Sequence, residues 1–133
     1  MCLSDVRALI APAGGAHAAR AVAGTSSEAS PQCVYSAGRL TVTVIVDTGA
    51  QPYFRLERAI VEDSQQFGTV RIEPAPEHVP GLGLDASWFP GEQHLMTTDG
   101  RRLLTVQVSG RGTSQSQRRT LATAVAALYL HRG

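Results

Sequence analysis

Serine, histidine and aspartate side chains give this chain the residue types of a nucleophilic hydrolase. Ser87 and Ser109 are the candidate nucleophiles, and a histidine would act as the general base. Four side chains could complete a triad by proximity: His78, Asp85, His94 and Asp99. Ser87 does not lie in a Gly-x-Ser-x-Gly turn, and any chain of 133 residues offers such combinations. Hydrolysis is therefore kept as an alternative, and the sequence assigns no catalytic residue.

Metal and cofactor chemistry has weaker support in the sequence. Cys2 and Cys33 lie 31 residues apart, and the four histidines lack the short spacing of zinc ligands. The turn at Gly81-Leu82-Gly83 lacks the third glycine of a dinucleotide-binding motif, and no helical pattern follows it. We therefore expect no metal ion and no other cofactor.

Charge is uneven along the chain, although the net charge is only +1. Residues 47–100 carry three arginines and nine acids, whereas residues 101–133 carry six arginines and no acid. The two segments can neutralise each other in a folded domain. The alternative is a basic face of Arg111, Arg118, Arg119 and Arg132 that meets an anionic polymer or lipid, but no aromatic stacking residues are interleaved with it. Nucleic acid is therefore not an expected partner.

Aromatic residues beside a cationic one predict a binding surface near the single tryptophan. Trp88, Phe89, His94 and Arg102 are the candidate contacts to a ligand or partner, because tryptophan and arginine often anchor interfaces. This interpretation requires residues 79–94 to form a surface loop beside a pocket. The alternative is that Trp88 packs in the core or at a sheet edge. A protease inhibitor is another possibility, with an exposed loop over residues 74–82 entering a protease cleft.

Hydrophobic periodicity predicts the elements that must position these side chains. The expected elements are a helix over residues 4–11 with Ser4 as its N-cap, a loose connection or weak strand over 12–32, a hairpin over 33–46, a helix from Pro52 to Gly68, a short strand over 70–72, a hairpin over 94–108 and a C-terminal helix opened by Ser114 and Gln117. Hairpins grouped between helices predict one α+β domain over residues 1–133. Its antiparallel sheet of four to six strands would be covered by an N-terminal, a central and a C-terminal helix.

The state of the two cysteines depends on where the protein resides. They could form a structural disulfide or remain as two buried thiols, and an oxidising compartment would favour the disulfide. No charged and apolar leader precedes Cys2 in these residues. An extracytoplasmic location would therefore require a leader or anchor outside the sequence, replaced here by Met1.

Several segments together resemble the small secreted lipoprotein domains of unknown function in actinobacterial cell envelopes. The likeness rests on a cysteine before a short helix, Cys33-Val34-Tyr35-Ser36, the segment from Gly81 to Trp88, a Leu-Thr-Val-Gln-Val strand and an alanine-rich final helix. It covers nearly the whole chain. The chain departs from the pattern at Leu84, where such domains often carry an acid, and in having no lipid-attachment sequence.

This resemblance implies an extracytoplasmic setting, a bridge between Cys2 and Cys33 and a sheet-and-helix architecture similar to the Mog1/PsbP-like fold. It implies no reaction. The expected function is therefore that of a non-enzymatic cell-envelope domain that binds a partner protein or a small apolar ligand. Contact with a membrane would be made only through an N-terminal anchor outside these residues.

Overall fold

The computed structural model describes residues 2–64 and 75–132, which form three helices and seven strands. In chain order these are α1 (Ser4–Ala13), β1 (Arg20–Thr25), β2 (Pro31–Ala37), β3 (Leu40–Asp47), α2 (Pro52–Ser64), β4 (Glu77–His78), β5 (Asp85–Phe89), β6 (His94–Thr98), β7 (Leu103–Gly110) and α3 (Gln115–Arg132). Strands grouped into hairpins between helices confirm the α+β class.

The seven strands form one antiparallel sheet in the order β1-β2-β3-β7-β6-β5-β4. Thr alternates with Val along much of β3, and this alternation gives buried residues on one face and half-buried ones on the other. The predicted hairpins over 33–46 and 94–108 correspond to β2–β3 and β6–β7. The sheet is larger than the four to six strands predicted.

β1 and β5 lie in segments that show no clear strand pattern in the sequence. β1 lies in the alanine- and glycine-rich stretch, and its residues pair with β2 from Arg20–Ser36 to Thr25–Pro31. β5 lies within residues 79–94, and four of its five residues are buried. The binding interpretation required a surface loop over 79–94, whereas β5 within this stretch pairs with both β4 and β6.

The helices begin and end close to the predicted positions, with two differences at the ends of α1. Leu3, rather than Ser4, is the N-cap of α1, and no side chain caps this end. Pro12 lies inside the helix, which continues to Ala13. The expected continuation of α2 to Gly68 and the expected strand over 70–72 lie outside the described residues.

The N-terminus of α3 is the capping box that the sequence predicts. The backbone N–H of Gln117 donates to the Ser114 hydroxyl at 3.1 Å, and the Ser114 N–H donates to the Gln117 side-chain oxygen at 2.7 Å. Each side chain thus accepts from a backbone donor that the helix itself leaves free.

Side chains alternate between two faces of the sheet, here called the core face and the opposite face. On the core face, one row runs across five strands: Cys33, Val44, Val106, Leu95 and Trp88. All five side chains are fully buried. α3 contacts β6 and β7 over this face, and α1 contacts both β2 and α3. The hydrophobic core lies between these two helices and the sheet.

The central helix α2 packs on the opposite face. A row on this face, three positions along the strands from the core row above, contains Asp47, Leu103, Thr98 and Asp85. Arg55 of α2 forms an ion pair with Asp47. The pKa of Asp47 is lowered by the backbone N–H of Gly49 and by Arg55. Leu56 of α2 is fully buried, so the β5–β7 half of the sheet has helices on both faces.

A disulfide joins Cys2 and Cys33, with their Cα atoms 5.6 Å apart. Cys2 lies just before α1 and Cys33 lies on the core face of β2, so the bridge fixes the start of α1 to the sheet. The pairing expected from the resemblance is confirmed. The bridge is weakly compatible with an extracytoplasmic location, since disulfides persist mainly in oxidising compartments.

A hydrogen-bond chain next to the disulfide connects α1, the sheet and α3. The backbone N–H of Leu3 donates to the Tyr35 hydroxyl at 2.8 Å, and the hydroxyls of Tyr35 and Tyr129 are 2.5 Å apart. Burial, followed by the hydrogen bond with Tyr35, raises the pKa of the Tyr129 hydroxyl far above its usual range. Both phenols find partners inside the core, as buried tyrosines generally do.

Candidate functional site

A cavity of about 450 Å³ opens between α1, α3 and the sheet end where β3 begins and β7 ends. We call it the α1–α3 groove. Its apolar lining residues come from both helices and both strands: Leu9, Ala13, Leu40, Val108, Leu121 and Ala124. The volume lies within the range of about 300–1,000 Å³ that is typical of small-molecule sites.

Small residues on the facing helices account for the empty space. Ala13 on α1 and Ala124 on α3 end at Cβ, so neither side chain fills the gap between the helices. Leu40 and Val108 lie on the core face and form the floor. Because apolar side chains line a space that nothing in the described chain fills, the groove is suited to an apolar ligand.

Gly14, directly after α1, determines how closely this helix approaches the β2–β3 turn at the edge of the groove. Gly14 follows α1, and a Cβ at this position would collide with the backbone oxygen of Ala37. The close contact holds Ala13 beside the β2–β3 turn, which contains Gly38 and Arg39. A larger residue at position 14 would therefore move α1 away from the turn.

The rim of the groove is polar and carries two guanidinium groups, from Arg39 and Arg118. Arg118 is held in place by three hydrogen bonds. Its Nε donates to the Gln93 side-chain oxygen at 2.6 Å, and one terminal nitrogen donates to the backbone oxygen of Thr113 and to its hydroxyl, the latter at 3.0 Å. Arg39 is exposed and lies against Gly112.

The four ligand-binding residues predicted from the sequence do not converge on one surface. Trp88 is fully buried on the core face, which corresponds to the core alternative for its packing. Phe89 and His94 face each other on the opposite face, with ring centroids 5.0 Å apart. Arg102 lies near the β6–β7 turn, where it bonds to Asp99 and to the backbone oxygen of Tyr129. A binding role for these four residues stays a prediction.

The candidate catalytic residues are only partly brought together. His78 lies opposite Ser87 across β4 and β5, and its Nδ1 is 3.5 Å from Asp85. Within the described chain no hydrogen bond joins Ser87 to His78, and Ser87 is only 3% exposed. Ser109 is exposed and pairs with Thr41 of β3 rather than with a histidine. Neither serine is hydrogen-bonded to a histidine among the described residues, and hydrolysis stays a prediction.

Within the candidate inhibitor loop over residues 74–82, several residues pair in the sheet or are buried in the core. Glu77 and His78 form β4 and pair with β5, while Val79 and Leu82 are buried in the core. Residue 74 lies outside the described residues. Inhibition of a protease stays a prediction, although the described residues 75–82 do not form a free loop.

Sequence reasoning did not find the α1–α3 groove. Its lining comes from four separate stretches of the chain, which only the packing of α1 beside α3 brings together. The sequence contains one signal that could have pointed to the groove. The surplus of arginine after residue 100 includes Arg118, which lies on the groove rim.

Comparison of the chain with protein-family models, curated proteins and solved structures found no match. No helix in the described ranges is long and apolar enough to cross a lipid bilayer. Among the same residues, no group of three or more histidine, cysteine, aspartate or glutamate side chains could hold a metal ion. The α1–α3 groove is thus the candidate site that the geometry itself supports.

Proposed function

We propose that this protein is a non-enzymatic extracytoplasmic domain that binds a small apolar ligand in the α1–α3 groove. The observation that carries the proposal is the cavity of about 450 Å³ with an apolar floor. Burying a ligand against this floor removes apolar surface from water, which favours binding by about 25 cal/mol per Å² before the costs of association.

The location and the family belong to the same proposal. The Cys2–Cys33 bridge supports an oxidising compartment, and a cell-envelope lipoprotein with a Mog1/PsbP-like fold is the family that the sequence resembles. A partner protein is the alternative ligand class. No described contact favours it over a small molecule, whereas the groove has the size of a small-molecule site.

A substitution that fills the groove tests the proposal directly. Ala124 is half-buried and lines the groove, so Ala124→Phe places a ring in the ligand's space. We expect wild-type protein to bind the neutral apolar dye Nile red at one saturable site, and Ala124→Phe to weaken this binding by about tenfold or more. A tenfold loss corresponds to about 1.4 kcal/mol, less than the hydrophobic transfer free energy of one buried side chain.

Ala127→Phe is the matched control, because Ala127 is exposed on the same helix and does not line the groove. Fluorescence titration measures dye binding, and circular dichroism checks that each variant is folded. If wild-type protein shows no saturable binding, or if both variants bind the dye as the wild type does, the α1–α3 groove is not the ligand site.

A further inference from the structure

The charge around the α1–α3 groove is one-sided. Two arginines lie on its rim, and none of its described lining residues is acidic. Across the described chain, no carboxylate lies within ion-pair distance of Arg39 or Arg118. The groove therefore presents a positive potential at the mouth of an apolar space.

Three arginines of the basic C-terminal segment, in contrast, are compensated within the fold. Away from the groove, Arg102 pairs with Asp99, Arg119 with Glu77 and Arg132 with Asp5. These pairs neutralise charge within the fold, as the acidic and basic segments of the sequence allow. At the groove, the corresponding acids are missing, so the arginines there are available to an anion from outside the chain.

The three hydrogen bonds of Arg118 go to neutral oxygens, those of Thr113 and Gln93, so none of them compensates its charge. Its second terminal nitrogen makes no hydrogen bond within residues 2–64 and 75–132. The guanidinium group is thus fixed in position and has free N–H donors. Arg39 has no hydrogen-bond acceptor in the same residues, so its whole guanidinium group is free.

An apolar floor and a cationic mouth fit two ends of one molecule. Guanidinium groups bind carboxylates and phosphates through charge-assisted hydrogen bonds, which are stronger than bonds between neutral groups. A hydrocarbon chain could then lie over Leu40 and Val108 while an anionic group meets Arg39. A wholly apolar ligand would use the floor and leave the cationic mouth unused.

We infer that the ligand is an amphiphile with an apolar chain and an anionic headgroup, and that Arg39 binds this headgroup while Arg118 adds a fixed positive charge. The inference rests on the proposed function, since it names the ligand class of the same groove. It goes beyond that function by assigning a specificity-determining residue.

Three ligands with the same chain but different headgroups test the inference: dodecanoate, dodecanol and dodecylammonium. Their binding is measured below the concentrations at which they form micelles, by displacement of Nile red. We expect dodecanoate to bind about tenfold or more tightly than dodecanol, and dodecylammonium to bind most weakly. Arg39→Gln should remove most of the preference for dodecanoate over dodecanol. This preference is the ratio of the two affinities in the same variant, so a change in the affinity for Nile red does not affect it.

Arg20→Gln is the matched control. Arg20 is exposed on β1, has no described ion-pair partner and lies outside the groove lining, so this variant removes the same charge elsewhere. Equal binding of dodecanoate and dodecanol by wild-type protein would overturn the inference and leave the proposed function intact. Failure of all three ligands and of Nile red to bind would overturn both. A preference for dodecanoate that survives in Arg39→Gln would overturn the assignment of the headgroup to Arg39.

Discussion

At the scale of single residues, Trp88 illustrates why side-chain type alone is a weak guide to function. A tryptophan beside an aromatic residue has the character of an interface anchor, but Trp88 is fully buried in the hydrophobic core. Its indole Nε1 has no hydrogen-bond partner in the described chain. The ring therefore contributes through apolar burial, while its N–H group costs free energy because it has lost water without gaining an acceptor.

Two substitutions separate these contributions. We expect Trp88→Ala to lower the free energy of unfolding by about 3–5 kcal/mol, the usual cost of deleting a buried aromatic ring. Trp88→Phe should cost clearly less, because it keeps an aromatic ring and removes the unsatisfied donor. Urea denaturation followed by circular dichroism measures both, since fluorescence would lose its only tryptophan. Equal losses in the two variants would contradict this explanation, because a phenylalanine ring would then retain none of the stability that the indole ring provides.

At the scale of elements, the reliable predictions were those in which local chemistry and tertiary packing agree. The alternation of Thr and Val in β3 and the box of Ser114 and Gln117 each identify an element without knowledge of its neighbours. β1 has no such pattern. Its alanines and glycine form a strand because β2 supplies a backbone to pair with, a partner that periodicity does not reveal.

β5 and the α1–α3 groove were missed for a related reason. Ser87 and Phe89 of β5 are buried on the opposite face, while Ala86 and Trp88 are buried on the core face. A strand covered on both sides shows no alternation, and glycines before it resemble loop sequence. The groove is the space left between two helices, so no single segment encodes it. Arg39 on its rim has no sequence context that marks it as a binding residue.

The capping box of α3 provides a test at the element scale. Ser114→Ala removes the acceptor for the Gln117 N–H, and we expect it to lower the free energy of unfolding by about 1 kcal/mol. Ser116→Ala is the control, since Ser116 is exposed inside the same helix, where alanine has the higher helix propensity. Urea denaturation compares the variants. A similar loss in both would mean that the cap does not stabilise α3 in the folded protein.

At the scale of the whole molecule, the disulfide connects stability to the proposed function. The bridge, the bond from Leu3 to Tyr35 and the contact of Tyr35 with Tyr129 join the start of α1, the sheet and α3. α1 also carries Leu9 and Ala13, which form one wall of the groove. The position of this wall therefore depends on contacts at the other end of the same short helix.

Opening the bridge should then weaken both folding and ligand binding. Cys2 is half-buried, so Cys2→Ser removes the crosslink with little loss of packing, and a loop of 31 residues predicts a loss of about 3–4 kcal/mol on the chain-entropy account. We expect a lower Tm and, at temperatures where the variant is still folded, weaker binding of Nile red, because α1 is no longer fixed at its start. A reducing agent should produce the same two changes in wild-type protein and neither change in Cys2→Ser. Unchanged dye affinity in a folded, uncrosslinked protein would mean that packing against α3 alone positions α1, and that the disulfide contributes stability without shaping the groove.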